Sequence, residues 1–371
     1  MDEEDLSPAP VTTPYLCNIT RYCNDTFSFR NDTATESGRA TDYGSAARIA
    51  IIGALTIFGN VLVILSVLLN RDLRETRYAF ITSMATVDKL TGFFIVSGAV
   101  YNSSPGLLNE HPMHCFTIYC FLFGFWAISI FHMVLIAIDR YLVITKPFTY
   151  ETIMTRFRCA CLIAGAWLGG IFVGLLPLMG WRPPLPAVIN CDGPSFVMTG
   201  EYLMFVCFGV FFLPLFVMCV LYGRLAHVAV QQRRKIQALH VNLNAPAAVE
   251  VPMAVSGNAQ PIHTPASGNQ SSESGVALSS QSQQSRLKIF KREMRTTKTL
   301  LMILGAFTLS WIPFAFMLIV EYMLPGFYDS TLNDVAFSFS MLNSTINPIL
   351  YALRDVPLRK TLKKIIKCQR V

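Results

Sequence analysis

Seven predominantly apolar stretches follow one another along this chain, and nothing else in the sequence constrains its fold as tightly. A helix needs about 20 apolar residues to cross a hydrocarbon layer of about 30 Å. The stretches run approximately from Ala46 to Leu69, Tyr78 to Val100, Met113 to Val143, Cys159 to Met179, Tyr202 to Leu225, Thr299 to Met323 and Leu332 to Leu353. In hydrocarbon each backbone N–H and C=O must be satisfied locally, so each stretch is expected as a helix. The fold expected is an all-α membrane protein, a seven-transmembrane helix bundle. Composition agrees, since 53% of the 371 residues are hydrophobic and 14% charged, against about 25% charged in soluble domains.

Orientation follows from where the positive charges fall. Arg71, Arg74 and Arg77 follow the first stretch, and Lys146, Arg156 and Arg158 follow the third. Arg354, Arg359, Lys360, Lys363, Lys364 and Lys367 follow the last. The alternate connections carry Glu110, then Arg182 with Asp192 and Glu201, then Asp329 and Asp334. The basic side is therefore expected in the cytoplasm, with the amino terminus outside a plasma membrane and the carboxyl terminus inside. A soluble nucleic-acid binder would gather its charge on a soluble domain, so no nucleic-acid partner is expected.

Residues 1–45 read as an extracellular leader, with N-x-S/T acceptors for glycosylation at Asn18, Asn24 and Asn31. The leader opens with acidic residues rather than a basic signal start, so the first span is expected to act as the targeting signal. Residues 46–353 are the bundle, interrupted by a Ser-, Gln- and Asn-rich third cytoplasmic loop over 227–290 that is expected to be disordered. Residues 354–371 hold a short amphipathic eighth helix and the tail. Within it Val356 to Ile366 places Leu358, Leu362, Ile365 and Ile366 on one face, to lie on the inner leaflet. Cys368 is then a palmitoylation candidate. No CxxC pair occurs among ten scattered cysteines, which argues against a zinc or redox centre. A few bridges on an oxidising face fit better, and Cys17 with Cys23 is one possible pair.

Polar groups at membrane depth are costly and carry functional weight. Asp88, Ser129, Asn343, Ser344 and Asn347 can surround a small cation such as sodium, or can simply bond the helices together. Lys89 stands beside Asp88 and either pairs with it or bonds a carbonyl of another helix. His132 is alone in its span and reads as structural.

The motifs along the spans resemble those of rhodopsin-like G protein-coupled receptors, in order. They are Gly59-Asn60-Val61, Ala85 to Asp88, Asp139-Arg140-Tyr141, Trp167, Pro214 with Tyr222, Ser310-Trp311-Ile312-Pro313 and Asn347-Pro348-Ile349-Leu350-Tyr351. The set runs from Gly59 to Tyr351. The resemblance implies that Arg140 is held by Asp139 and Glu293, a charge-assisted lock on the resting state. It implies a packing switch of Ile130, Pro214 and Phe307 beneath Trp311, with Tyr222 and Tyr351 re-pairing near Arg140 on activation. Cys115 and Cys191 take the positions of the family's disulfide. Phe148 takes the position that projects toward the G protein, the alternative being an aromatic anchor among headgroups. Arrestin and receptor kinase are implied as further partners.

The residues expected to line the pocket are Leu122, Phe123 and Trp126, then Phe208, Phe211 and Phe212, then Trp311, Phe314 and Leu318, with Met341. Amine receptors carry an Asp where this chain has Leu122, and visual pigments a Lys where it has Met341. Such a lining suits a lipid-like or flat apolar ligand, unless many of these aromatics serve only to pack helices. Leu342 to Arg359 resembles the end of cannabinoid and melanocortin receptors, and Leu176 to Trp181 and Tyr202 to Phe205 resemble cannabinoid and adenosine receptors, a cluster that includes lysophospholipid receptors.

The expectation is a receptor that binds a small extracellular ligand and activates a heterotrimeric G protein, raising cAMP, without enzyme activity and without a cofactor beyond an allosteric sodium ion. The same fold also accommodates a nucleoside or peptide receptor, or an orphan active without ligand. A seven-helix transporter or channel would show inverted repeats or ionisable residues paired along a path, and neither is evident.

Overall fold

A computed structural model describes residues 43–102, 112–184, 194, 197–244, 302, 304–324, 327 and 329–369. Their helices are α1 (Tyr43–Leu69), α2 (Thr76–Asn102), α3 (Pro112–Thr145), α4 (Arg156–Leu175), α5 (Gly200–Asn244), α6 (Leu304–Met323), α7 (Ser330–Arg354) and α8 (Val356–Ile366). A 3-10 turn, Arg71–Leu73, joins α1 to α2, and one helical turn, Tyr150–Ile153, lies between α3 and α4. The seven-helix expectation holds. α7 is the most polar span, because Asn333, Ser340, Asn343, Ser344 and Asn347 face inward and are buried.

α3 is the hub, packing heavily on α4 and α2 and then on α5. Small residues permit its closest approach. A Cβ on Gly174 of α4 would stand 2.6 Å from the Cys120 carbonyl, and one on Gly170 would stand 2.9 Å from the Gly124 carbonyl. Hydrocarbon supplies no hydrophobic drive between helices, so backbone proximity and close van der Waals contact hold this pair together.

Helix ends follow local chemistry. α4 closes at Leu175, four residues before the expected Met179, because Pro177 has no N–H for the Val173 carbonyl, which accepts from the Tyr202 hydroxyl instead, and Gly180 turns the chain at φ 118°. Thr155, Thr199 and Asp329 cap α4, α5 and α7 by accepting from the backbone N–H groups of Arg158, Tyr202 and Leu332. Asp355 caps α8 and also accepts from the Tyr78 hydroxyl, fixing α8 against the start of α2. Leu358 and Leu362 are buried against the rest of the protein, and Ile366 is exposed.

Two expectations need correction. α5 continues to Asn244, so residues 227–244 are helical rather than loop. That segment lacks Gly and Pro and is rich in Ala, Leu, Gln and Arg, residues of high helix propensity. Within α5, Val206–Phe212 forms a π-helix. Its wider turns offset the faces that a 3.6-residue period predicts.

Candidate functional site

An aromatic cluster occupies the Cys115 end of the bundle. Trp126 of α3 meets Trp311 of α6 edge-to-face at 4.7 Å between centroids. Phe314 and Phe337 complete the group, at 6.1 and 6.0 Å from Trp126 and 5.5 Å from each other. Leu122, Phe123, Trp126, Phe211, Trp311, Phe314, Leu318 and Met341 are all buried, none more than 4% exposed. Phe211 stacks toward Trp311 at 5.9 Å and toward Phe307 at 5.5 Å, and Ile130, Phe307 and Pro214 are buried. The indole Nε1–H of Trp311 is buried without an acceptor among the described residues.

The polar cluster sits deeper. Asp88 Oδ1 accepts from Ser344 Oγ at 2.8 Å and from Ser129 Oγ at 3.3 Å, and Oδ2 accepts from Asn347 Nδ2 at 3.0 Å. Asn343 is buried but donates nothing to Asp88. Asn60 extends the network to α1, its amide donating to the carbonyls of Thr56 and Ser344. The carboxylate and the two hydroxyls are hard oxygen donors of the kind a small cation prefers, so these residues fit sodium. Lys89 is not part of the cluster, because consecutive residues point about 100° apart on a helix.

One turn toward Arg140, the interior becomes apolar. A cavity of about 10 Å³ is lined by Met84, Met133, Ile136, Met218, Tyr222, Leu304 and Tyr351. That is barely the space of one water molecule. The Tyr351 hydroxyl reaches Met84 Sδ at 3.5 Å, and Tyr222 lies within electrostatic reach of Arg140.

At the far end Arg140 is buried and donates Nε–H and Nη2–H to Asp139 Oδ2. Asp139 Oδ1 accepts from the Tyr150 hydroxyl at 2.6 Å. Burial, and then the bond to that carboxylate, push the Tyr150 hydroxyl well above the usual tyrosine range. Tyr141 is half-buried, and Phe148 is 87% exposed.

A model of the seven-transmembrane receptors of the rhodopsin family matches residues 59–351. The chain belongs to that family. Its members are receptors rather than enzymes and act on heterotrimeric G proteins. Similar proteins include the alpha-1A adrenergic receptor of Cavia porcellus, 28% identical over 92% of this chain and 73% of that protein. The human alpha-1A adrenergic receptor is 27% identical with the same coverage. The alpha-1D adrenergic receptor of Mus musculus is 28% identical over 89% of this chain and 58% of its own length. None of the three belongs to the cluster that the local motifs resemble.

Several expected site residues of the receptor fall elsewhere. Phe208 is 55% exposed and faces away from the bundle, because it lies inside the π-helical segment of α5. Cys115 is disulfide-bonded, and Cys191, its expected partner, lies outside the described residues. Glu293, Asn18, Asn24, Asn31, Cys17 and Cys23 also lie outside them. Cys368 is an exposed free thiol at the end of α8.

Three participants were not singled out in the sequence. Tyr119, Tyr202 and Phe337 join the aromatic cluster, Tyr119 meeting Phe337 at 6.2 Å and Tyr202 meeting Phe123 at 5.7 Å. Tyr119 stands seven residues before Trp126 and Phe337 four before Met341, so helical spacing was the available signal.

Proposed function

We propose that this receptor binds a small, largely apolar ligand from the extracellular side and responds by driving nucleotide exchange on a heterotrimeric G protein, raising cAMP. One observation carries the ligand reading. The buried lining presents Leu122 where amine receptors place a carboxylate, and its unanswered polar group is the Trp311 N–H. An ammonium there would lack a counter-ion, whereas a lipid-like molecule with one acceptor would bury its body and satisfy that donor.

A second reading draws on the adrenergic relatives, whose name points to an amine. Glu321 and Asp334 are the acids of the described α6 and α7, and both have partners, Glu321 Oε1 accepting from Asn333 at 3.4 Å. Neither stands at the Leu122 position, so the amine reading is the weaker one.

In the proposed arrangement the amino terminus is extracellular, glycosylated at Asn18, Asn24 and Asn31, and a Cys115–Cys191 bridge shapes the pocket mouth. The carboxyl terminus is cytoplasmic and Cys368 is palmitoylated. Asp88, Ser129 and Ser344 would hold a sodium ion that steadies the resting bundle. A ligand that binds one packing of Trp126, Trp311 and Phe314 better than another shifts Phe307, Ile130 and Pro214. The shift frees Arg140 from Asp139 and Glu293 to meet the G protein beside Phe148. Receptor kinase and arrestin would then engage the cytoplasmic surface of the active state.

The test is cAMP in cells expressing the receptor or its Arg140→Ala variant, each given a lipid panel and an adrenergic amine panel. A rise with a lipid, lost in the variant, is the expected result. A rise with amines instead overturns the ligand reading. No Arg140-dependent change in cAMP, calcium or inhibitory signalling overturns the coupling.

A further inference from the structure

The outward face of α2 carries two polar groups, Thr82 Oγ1 and the Lys89 ammonium, that nothing among the described residues answers. Thr82, Thr86, Lys89 and Phe93 follow at spacings of four, three and four residues, which aligns them along one side of the helix. That side looks away from the bundle, since Phe93 is 61% exposed. α1 packs beside it through Gly92, where an added Cβ would meet Ile57 and the Gly53 carbonyl.

Toward the Arg74 end the same face borders an open cleft of about 370 Å³, lined by Val67, Leu73, Arg74, Ala79, Thr82 and Thr86 among others. The Thr86 hydroxyl bonds back to the Thr82 carbonyl, but Thr82 Oγ1 is buried with no partner. Lys89, half-buried, makes no ion pair or hydrogen bond among the described residues. Its neighbour Asp88 points into the bundle and is engaged by three donors.

Depth decides what can answer the lysine. The span runs from Thr76 to Tyr101, with Lys89 at its midpoint. The ammonium therefore lies near the middle of a hydrocarbon layer about 30 Å thick, beyond what a four-carbon stem can carry to the headgroups. Anionic lipid headgroups stay at the interface and cannot come down to meet it. A second copy of this chain cannot serve either, because Asp88 is its acid at that depth and is fully buried. Ionisable groups at mid-membrane pair with one another or with backbone carbonyls, and no carbonyl among the described residues bonds Lys89.

We propose that the outward face of α2 binds a transmembrane helix of another protein carrying an Asp or Glu at mid-membrane. The carboxylate pairs with Lys89, and polar side chains of the partner enter the cleft to bond Thr82. The receptor would thus belong to a complex with an acidic single-span or multi-span partner, assembled within the bilayer and away from the ligand pocket.

The probe is a polyleucine single-span helix with one central Asp, co-expressed with the intact receptor and followed by resonance energy transfer. An all-leucine helix and a central-Lys helix are the controls. The expected result is roughly tenfold stronger association of the Asp helix than of the all-leucine helix, the scale of one intramembrane polar pair. That excess should vanish in Lys89→Met, and Lys89→Asp should transfer it to the central-Lys helix. The charge swap keeps the test decisive if Lys89→Met alone reaches the surface poorly. Equal association of the Asp and all-leucine helices, or an excess that survives Lys89→Met, overturns the proposal. Loss of a bound sterol probe in Lys89→Met without any change in helix association would overturn it in favour of a lipid site.

Discussion

The Asn347 side-chain amide donates to Asp88 Oδ2 across 3.0 Å, joining α7 to α2 at the residue just before Pro348 interrupts the α7 ladder. Pro348 supplies no N–H to the Ser344 carbonyl, which accepts from the Asn60 amide of α1 instead. The amide bond therefore braces α7 where its own backbone is weakest.

Asp88→Ala removes the acceptor for Ser129, Ser344 and Asn347 together. Each donor left unpaired at membrane depth costs about 1–3 kcal/mol, so inactivation of the solubilised receptor should occur at clearly lower temperature. Asp88→Asn should fall between, because its oxygen still accepts while its NH₂ opposes that of Asn347. Sodium should slow inactivation of the native receptor and do so much less for either variant. An unchanged midpoint in Asp88→Ala would show that these bonds contribute nothing.

Tyr150 holds the second oxygen of the carboxylate that restrains Arg140. Tyr150→Phe keeps the ring and removes one hydrogen bond to a charged group, worth about 1.5–3 kcal/mol. If the bond belongs to the resting state alone, ligand-free nucleotide exchange should rise by roughly tenfold or more. Exchange measured on membranes with purified G protein checks this, and a basal rate equal to the native one would place Tyr150 outside the restraint.

Fold and site differed in how far the sequence revealed them. The spans were legible because membrane thickness fixes helix length, and α8 was legible because Leu358 and Leu362 recur at helical spacing. The extension of α5 to Asn244 was hidden by polar composition, which marks disorder and exposed helix alike. Phe208 was misplaced because a π-helix leaves no mark in residue periodicity. Tyr150 was missed because its partner Asp139 lies eleven residues away across a turn, a contact that no local pattern encodes.

The α3–α4 contact predicts a contrast between two glycines of one helix. A Cβ at Gly174 would meet the Cys120 carbonyl at 2.6 Å, whereas one at Gly165 would meet nothing within 4 Å. Backbone cannot rotate out of the way as a side chain can, so Gly174→Ala should cost about 1–3 kcal/mol through overpacking. Gly165→Ala should be neutral or gain up to about 1 kcal/mol from helix propensity. Surface expression and thermal inactivation of the pair provide the measurement, and equal behaviour would mean that the helices do not approach so closely.

His132 proves to be the middle of a chain of donors linking three helices. Trp167 Nε1–H donates to Ser83 Oγ at 2.9 Å, and Ser83 lies 2.8 Å from His132 Nε2. His132 Nδ1 lies 2.8 Å from the Ile128 carbonyl, which can only accept. Nδ1 therefore carries the proton, and the neutral ring accepts from the Ser83 hydroxyl through Nε2. Every group in the chain is satisfied in this one direction, which sets α2, α3 and α4 in a single arrangement. Ser83→Ala leaves the indole N–H and the imidazole Nε2 without partners and should cost about 1–3 kcal/mol for each. Ser83→Thr keeps the hydroxyl and should stay near the native receptor. His132→Ala should cost less in the Ser83→Ala background than alone, since the bond it breaks is already gone. Thermal inactivation of the single and double variants gives that coupling directly, and purely additive losses would show that the three groups act independently.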